Sequence, residues 1–347
     1  MNLRFIKKTI FLIPIVMLVA VGLVAVLAWK ALKPINDKTG FNRKLLIKEL
    51  EIMKAVDKPQ NVLDFAGFTN HHLYFKTKNP AKVYITDSDL QNDNYIELNI
   101  PINRKIASRF SCIVDSPAVY VLAGNLPGIL KTQPGDSCKS YQFPNAIFTR
   151  TALISPNSFA LRMFEGTDQI FAKGNPSTGE LLKEKNISEK NKDAGISTDG
   201  ALFYDRQSNL LAFVQYYKNE IICLDTNLNF VKKIKTIDIN SRSSIKAAEI
   251  KKEGVITSLT PKRLLNASAS IHNGLLFINS KIKGDNETKE AFTNNFSIDI
   301  YDIKNSLYKG SFYIPVYKND QMTNFLITAN SIVVIYKKYL VTYKLPL

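Results

Sequence analysis

A short pattern returns six times along this 347-residue chain: a hydrophobic strand end, a polar tight turn, then an apolar run. It reads Asn70-His71-His72-Leu73-Tyr74-Phe75, then Asp115-Ser116-Pro117-Ala118-Val119-Tyr120 and Pro156-Asn157-Ser158-Phe159-Ala160-Leu161. The remaining three are Asp199-Gly200-Ala201-Leu202-Phe203-Tyr204, His272-Asn273-Gly274-Leu275-Leu276-Phe277 and Asn330-Ser331-Ile332-Val333-Val334-Ile335. Counted from His71, Asp115, Asn157, Asp199, Asn273 and Asn330, the spacings are 44, 42, 42, 74 and 57 residues. Hairpin chemistry recurring near every forty residues is the signature of β-propeller blades.

A second landmark supports four strands per unit. Third strands run into an Asp-centred turn at Val83–Asp87, Ile221–Asp225 and Ile298–Asp302, and a fourth strand follows, as at Phe230–Ile237 and Leu307–Tyr313. Asp suits such turns because its carboxylate accepts backbone N–H groups two residues on. The first blade reads as Val62–Phe68, Leu73–Lys76, Lys82–Thr86 and Tyr95–Ile100. The last unit has only three strands, Phe325–Thr328, Ile332–Lys337 and Leu340–Lys344, so a strand from near Val62 or earlier is expected to close the ring and hide its edges. Six blades is the first expectation for this all-β fold. Seven is the alternative, because the 74-residue interval has room for a degenerate blade; yet Asn240–Lys252 reads as an insertion with a helical turn. Lys283–Asn295 reads as a long polar loop.

Before the propeller, Thr9 to Trp29 carries no charged residue. As a helix it would reach roughly 30 Å, the thickness of a bilayer core. Arg4, Lys7 and Lys8 precede it, and Trp29 with Lys30 marks an interfacial exit. An uncleaved signal anchor fits better than a cleavable signal peptide, since the apolar run exceeds a signal core of ~7–15 residues. The expected division is therefore a cytoplasmic tail over 1–8, a transmembrane anchor over 9–29, a stalk with a short amphipathic helix over 30–61, and the propeller over 62–347. The helix is placed at Phe41–Val56, with Leu46, Leu50 and Met53 on one face. Either reading of the leader exports the large domain, which would be periplasmic in a Gram-negative cell.

The net charge of +16 is partly local, with Lys232, Lys233, Lys235, Arg242, Lys246, Lys251, Lys252, Lys262 and Arg263 facing only Asp238, Glu249 and Glu253. Such a stretch suits lipid headgroups, an acidic partner or a solvated insertion. Nucleic acid is not an expected partner of an exported domain. Cys112 and Cys138 fall on the first and last strands of one blade, which sets a disulfide against strand separation. Cys223 reads as a small buried side chain. No pair has Cys-x-x-Cys spacing.

Chemical motifs are sparse. Phosphate-loop, dinucleotide and nucleophile-elbow patterns are absent. His71, His72 and His272 sit in first-to-second-strand turns; adjacent residues point to opposite faces, and the turns of the first and fifth units are expected to lie far apart, so zinc is not expected. Asp87-Ser88-Asp89 with Asn92-Asp93-Asn94 resembles a loose calcium loop but has Leu98 where a bidentate Glu is needed. Gly124–Gly128 and Gly174-Asn175-Pro176 read as loops between second and third strands, at one mouth of the ring. Asn186, Asn266, Asn286 and Asn295 stand in glycosylation sequons. No catalytic, cofactor or metal residue is assigned, and no cofactor is expected.

The stretch Gly195-Ile196-Ser197-Thr198-Asp199-Gly200-Ala201-Leu202-Phe203-Tyr204 resembles the "serine, turn, Asp-Gly, apolar strand" signature of the six-bladed propeller superfamily that includes TolB-like and NHL-repeat proteins. Asn157-Ser158 and Asn330-Ser331 depart from the Asp-Gly. The resemblance implies a fold shared by binding scaffolds, lactonases and cyclases, so it fixes no reaction. The expected function is a membrane-anchored binding module for a protein or envelope component. An anchored hydrolase or lyase, or a small-ligand sensor, is the alternative.

Overall fold

Six antiparallel four-stranded sheets make up the large unit of the chain, in a computed structural model. It describes residues 16–24, 38–47, 49–101, 106, 110–123, 128–143, 146–184, 186–240, 245–250, 255–261 and 263–345. β1 (Ile52–Asp57) stands before the first sheet. Blade 1 is β2 (Val62–Phe68), β3 (His72–Thr77), β4 (Lys82–Asp87) and β5 (Asn94–Glu97). Blade 2 is β6 (Phe110–Asp115), β7 (Ala118–Ala123), β8 (Gly128–Thr132) and β9 (Lys139–Gln142). Blade 3 is β10 (Phe148–Ser155), β11 (Ser158–Glu165), β12 (Asp168–Asn175) and β13 (Glu180–Lys183). Blade 4 is β14 (Gly200–Asp205), β15 (Leu210–Gln215), β16 (Glu220–Leu224) and β17 (Phe230–Lys235). A two-stranded ribbon follows, β18 (Ala247–Ile250) and β19 (Val255–Ser258). Blade 5 is β20 (Asn266–His272), β21 (Leu275–Ser280), β22 (Asn295–Asp302) and β23 (Leu307–Pro315), with a short helix α1 (Lys289–Asn294) between its middle strands. β24 (Met322–Ile327), β25 (Ser331–Tyr336) and β26 (Tyr339–Lys344) complete the chain.

Position within a blade explains composition. Second strands are wedged between neighbouring blades on both faces, so β7 is buried at every residue and reads AVYVLA. Outermost strands face water, and β9 reads KSYQ with no buried residue. Apolar cores fill each gap between successive blades. The one between blades 6 and 1 gathers Val333, Ile335 and Leu340 with Val62, Leu73, Phe75 and Tyr84. The first strands pack in a closed circuit, β2 to β6 to β10 to β14 to β20 to β24 and back to β2.

The sixth blade is closed by β1, which pairs antiparallel with β26 (Val56 opposite Leu340). Closure by an early strand is as expected, but the strand comes from the segment read as an amphipathic helix. Residues 41–47 and 49–51 form no helical turn, and β1 is extended. The spacing of Leu46, Leu50 and Met53 mimics a helical face. Backbone pairing with β26 decides the matter, as tertiary pairing outweighs weak helix propensity. The stretch before it runs along blade 5 as a strap. Leu45 bridges Ser311 in parallel, and Lys44 accepts the Ser311 N–H at 2.8 Å. Arg43 is fully buried, donating to Asp299 at 2.8 Å and to Glu287. Leu46 lies over Gly310, whose φ of +147° favours glycine and where a Cβ would overlap the leucine.

Three further expectations are corrected. Among the described residues, the 74-residue interval holds the β18–β19 ribbon and no seventh blade, and 247–250 of the stretch expected to carry a helical turn are extended. Asp199-Gly200 opens β14, and the first hairpin of blade 4 turns at Arg206–Asn209, after Asp205. Gly174-Asn175-Pro176 joins third to fourth strands, because β12 pairs with β13 across it. Residues 124–127 of the other glycine loop lie outside the described residues. The polar loop over 283–295 contains α1, capped by Thr288. No disulfide joins Cys112 to Cys138, and burial pushes the Cys112 thiol up to about 12 and the Cys223 thiol up to about 11.

The chain divides into two units, Met1–Lys38 and Thr39–Leu347. In the first, residues 16–24 are helical with every side chain exposed. Among the described residues no helix is long and apolar enough to cross a membrane. Most of the expected 9–29 span, the 1–8 tail and the stalk over 30–37 lie outside them.

Candidate functional site

The first strands end at the channel axis, and their turns surround its mouth. The cavity there has a volume of about 600 Å3. Its wall is Phe65 and Ala66 of β2, Val114 of β6, Leu153 of β10, Leu202 of β14, Ile271 of β20 and Phe325 of β24. The polar groups sit deeper in the channel and at the rim. First-to-second-strand turns and third-to-fourth-strand turns share this face in an antiparallel meander, so the mouth opens here. The second-to-third loops and the blade-to-blade connections occupy the opposite face.

Deep in the wall, Asn324 of β24 donates to Asp64 of β2 at 2.7 Å, joining the last blade to the first across the closure. Burial raises the Asp64 pKa against the hydrogen bonds from Asn324 and the Phe65 N–H and against the Lys76 charge. At the rim, Arg206 of the blade 4 turn reaches Asp115 of blade 2 at 2.8 Å. The pair is largely exposed and worth about 0–1 kcal/mol; it fixes the rim's charge pattern more than its stability.

Phe68 and His272 face each other at 6.1 Å between centroids. Their turns belong to the first and fifth units, which the sequence reading placed far apart. Only blade 6 intervenes, and the first strands converge on the axis. His272 Nε2 is buried without a hydrogen-bond partner. Burial lowers the His272 pKa and the Asp205 charge opposes it. Asp205 itself is held by the N–H groups of Ser208 at 2.7 Å and Gly274 at 3.2 Å.

The other candidates stay apart from the mouth. His72 lies against Tyr74 on blade 1. Among the described residues no group of three or more His, Cys, Asp or Glu is arranged to hold a metal. The Asp87 loop is a hydrogen-bonded turn, its carboxylate accepting from Gln91 N–H at 2.7 Å and from Asn92 Nδ2 at 2.9 Å. Asp225 and Asp302 repeat this with Asn229 and Asn305. Asn266 is 2% exposed, donating to the Gln215 and Lys218 carbonyls, which closes that sequon to modification. Phe68, Asp115 and His272 carry the mouth, and each borders a turn of the repeated pattern. The signal was in the pattern; the missing information was which turns meet.

Fold and mouth together define a six-bladed β-propeller with an open axial cavity. Solved propellers share this architecture. Virginiamycin B lyase from Staphylococcus aureus matches with a TM-score of 0.51 at 12% identity, over 86% of this chain and 100% of the lyase. A member of the DUF4221 family from Bacteroides vulgatus matches with a TM-score of 0.54 at 15% identity, over 85% of this chain and 97% of that one. At such identities the likeness is one of fold. No protein-family profile matches the chain, and no curated protein matches it.

Proposed function

We propose that the protein is a membrane-tethered, extracytoplasmic binding module that receives a protein or envelope component at the channel mouth. The observation that carries the reading is the mouth itself, a cavity of about 600 Å3 with apolar walls and a polar rim, the usual make-up of a binding site. The exposed Phe68 beside His272 offers an aromatic anchor of the kind that dominates interfaces. Tethering rests on the uncharged run over 9–29.

The test is cross-linked affinity capture from membranes with three full-length chains: wild type, Phe68→Asp, and a variant changed only on the opposite face, Ile239→Asp. A stoichiometric partner kept by wild type and Ile239→Asp and lost by Phe68→Asp is the expected result. Equal recovery by all three would place recognition elsewhere.

One observation favours a second reading, lyase chemistry at the same mouth: His272 lines the cavity with an unpartnered Nε2, and a lyase is among the propellers of similar fold. Incubation with virginiamycin B separates the two. A new chromatographic species formed by wild type but not by His272→Ala would support it, and unchanged substrate would sink it.

A further inference from the structure

A second cavity lies on the opposite face, between the blade 3-to-4 connection, the β15–β16 loop and the start of the ribbon. It holds about 320 Å3 and is lined by Asn191, Lys192, Asp193, Ser197, Lys218, Ile245 and Ala247. Its floor is built of buried charge. Asp193 is 7% exposed and Lys218 8%.

The two carboxylate oxygens of Asp193 differ. Oδ2 accepts the Ser197 N–H at 2.9 Å and pins the turn. Oδ1 is buried and has no partner. A buried charged acceptor left open costs more than a neutral one, and this one belongs to a residue that lines the cavity. The neighbouring cation does not reach it, because Lys218 Nζ is bound to Glu189. Lys192 stands at the rim, exposed, with no carboxylate partner among the described residues. Its backbone is held left-handed at φ +54°, its N–H donating to Asp168 at 2.7 Å, and Ala194 is left-handed too at φ +57°. Two non-glycine residues in that conformation are strain that the surrounding hydrogen bonds maintain.

We propose that this cavity binds a small zwitterion, its primary ammonium group donating to Asp193 Oδ1 and its anionic group meeting Lys192. One buried acceptor and one exposed cation in the lining of a cavity of about 320 Å3 call for a small molecule with both charges. An amino acid and a phosphoethanolamine headgroup share that chemistry. The site is independent of the mouth and of the role proposed for it.

Asp193→Asn tests the site with little cost to the fold: an amide oxygen still accepts from Ser197 while an NH2 replaces the open acceptor. Calorimetric titration of the full chain uses ethanolamine, glycine, O-phosphoethanolamine and inorganic phosphate. Wild type is expected to bind the amines and to bind phosphate alone more weakly. Asp193→Asn is expected to lose about ten- to a hundredfold, the worth of one charged hydrogen bond. Lys192→Glu, at an exposed position, should weaken glycine and O-phosphoethanolamine while sparing ethanolamine, and it keeps the test alive should Asp193→Asn not fold. Tighter binding of O-phosphoethanolamine than glycine would identify a lipid headgroup, and the reverse order an amino acid. No heat from any amine, or equal affinities in wild type and both variants, overturns the proposal.

Discussion

Arg43 shows what a single side chain does in this ring. Its guanidinium has no solvent exposure and sits between Asp299 and Glu287. Burial opposes its charge, but Asp299 and then Glu287 outweigh that and hold its pKa above the ordinary value. Arg43→Met keeps the apolar stem and leaves two carboxylates buried together. The expected loss is about 3–5 kcal/mol in urea unfolding. Adding Glu287→Gln and Asp299→Asn should restore most of it, because the loss comes from uncompensated charge; no recovery would mean that the strap depends on packing instead. His272 supplies a pH-dependent counterpart. Its folded pKa is lowered by burial, so below an unfolded value of about 6.5 the unfolded chain binds the proton more readily. Stability is therefore full above that pH and falls as pH drops toward the lower folded value. His272→Gln should flatten the urea midpoint between about pH 7 and 5.5, and an unchanged slope would count against a half-buried neutral imidazole.

At the scale of elements, closure turns on β1. It covers the outer edge of β26, which would otherwise present unpaired backbone groups to other chains. A chain starting at Val62 lacks both β1 and the strap, and is expected to aggregate on size-exclusion chromatography. One starting at Thr39 should elute as a folded species with a cooperative melt. Equal behaviour would show that β1 is dispensable. The sequence reading found the need for this strand but not the strand. In LLIKELEIMKAVD the leucine spacing reads as a helix, and only β26, almost three hundred residues away, supplies the partner that makes Ile52–Asp57 extended. The fourth turn misled for a local reason: Asp199-Gly200 followed by apolar residues looks like a hairpin, yet here it starts a first strand. Blade 1 was legible because its four strands alternate within one hairpin series. The mouth was not, because Phe68, Asp115, Arg206 and His272 come together only when the ring closes.

For the whole molecule, topology places the two cavities on opposite faces, and it places Thr39, the first residue of the large unit, on one of them. Thr39 and Gly40 bond to Asp285 in the second-to-third loop of blade 5, and Gly40 lies against Ile239 in the blade 4-to-5 connection. Both belong to the face away from the mouth. The proposed tether, over 9–29, is joined to the propeller through the residues that precede Thr39. Residues 30–38 reach about 30 Å at full extension, and a protease site inserted among them tests the arrangement. With the 9–29 run held in the bilayer, the intact chain should resist alkaline carbonate extraction. Cleavage should then release a soluble Thr39–Leu347 fragment that melts as a single unit, since Arg43 and β1 remain with it. Capture of the mouth partner should persist in the released fragment. Extraction of the uncleaved chain by carbonate would remove the tether from the proposal, and a fragment that stays with the membrane after cleavage would mean that the propeller makes its own contact with the bilayer.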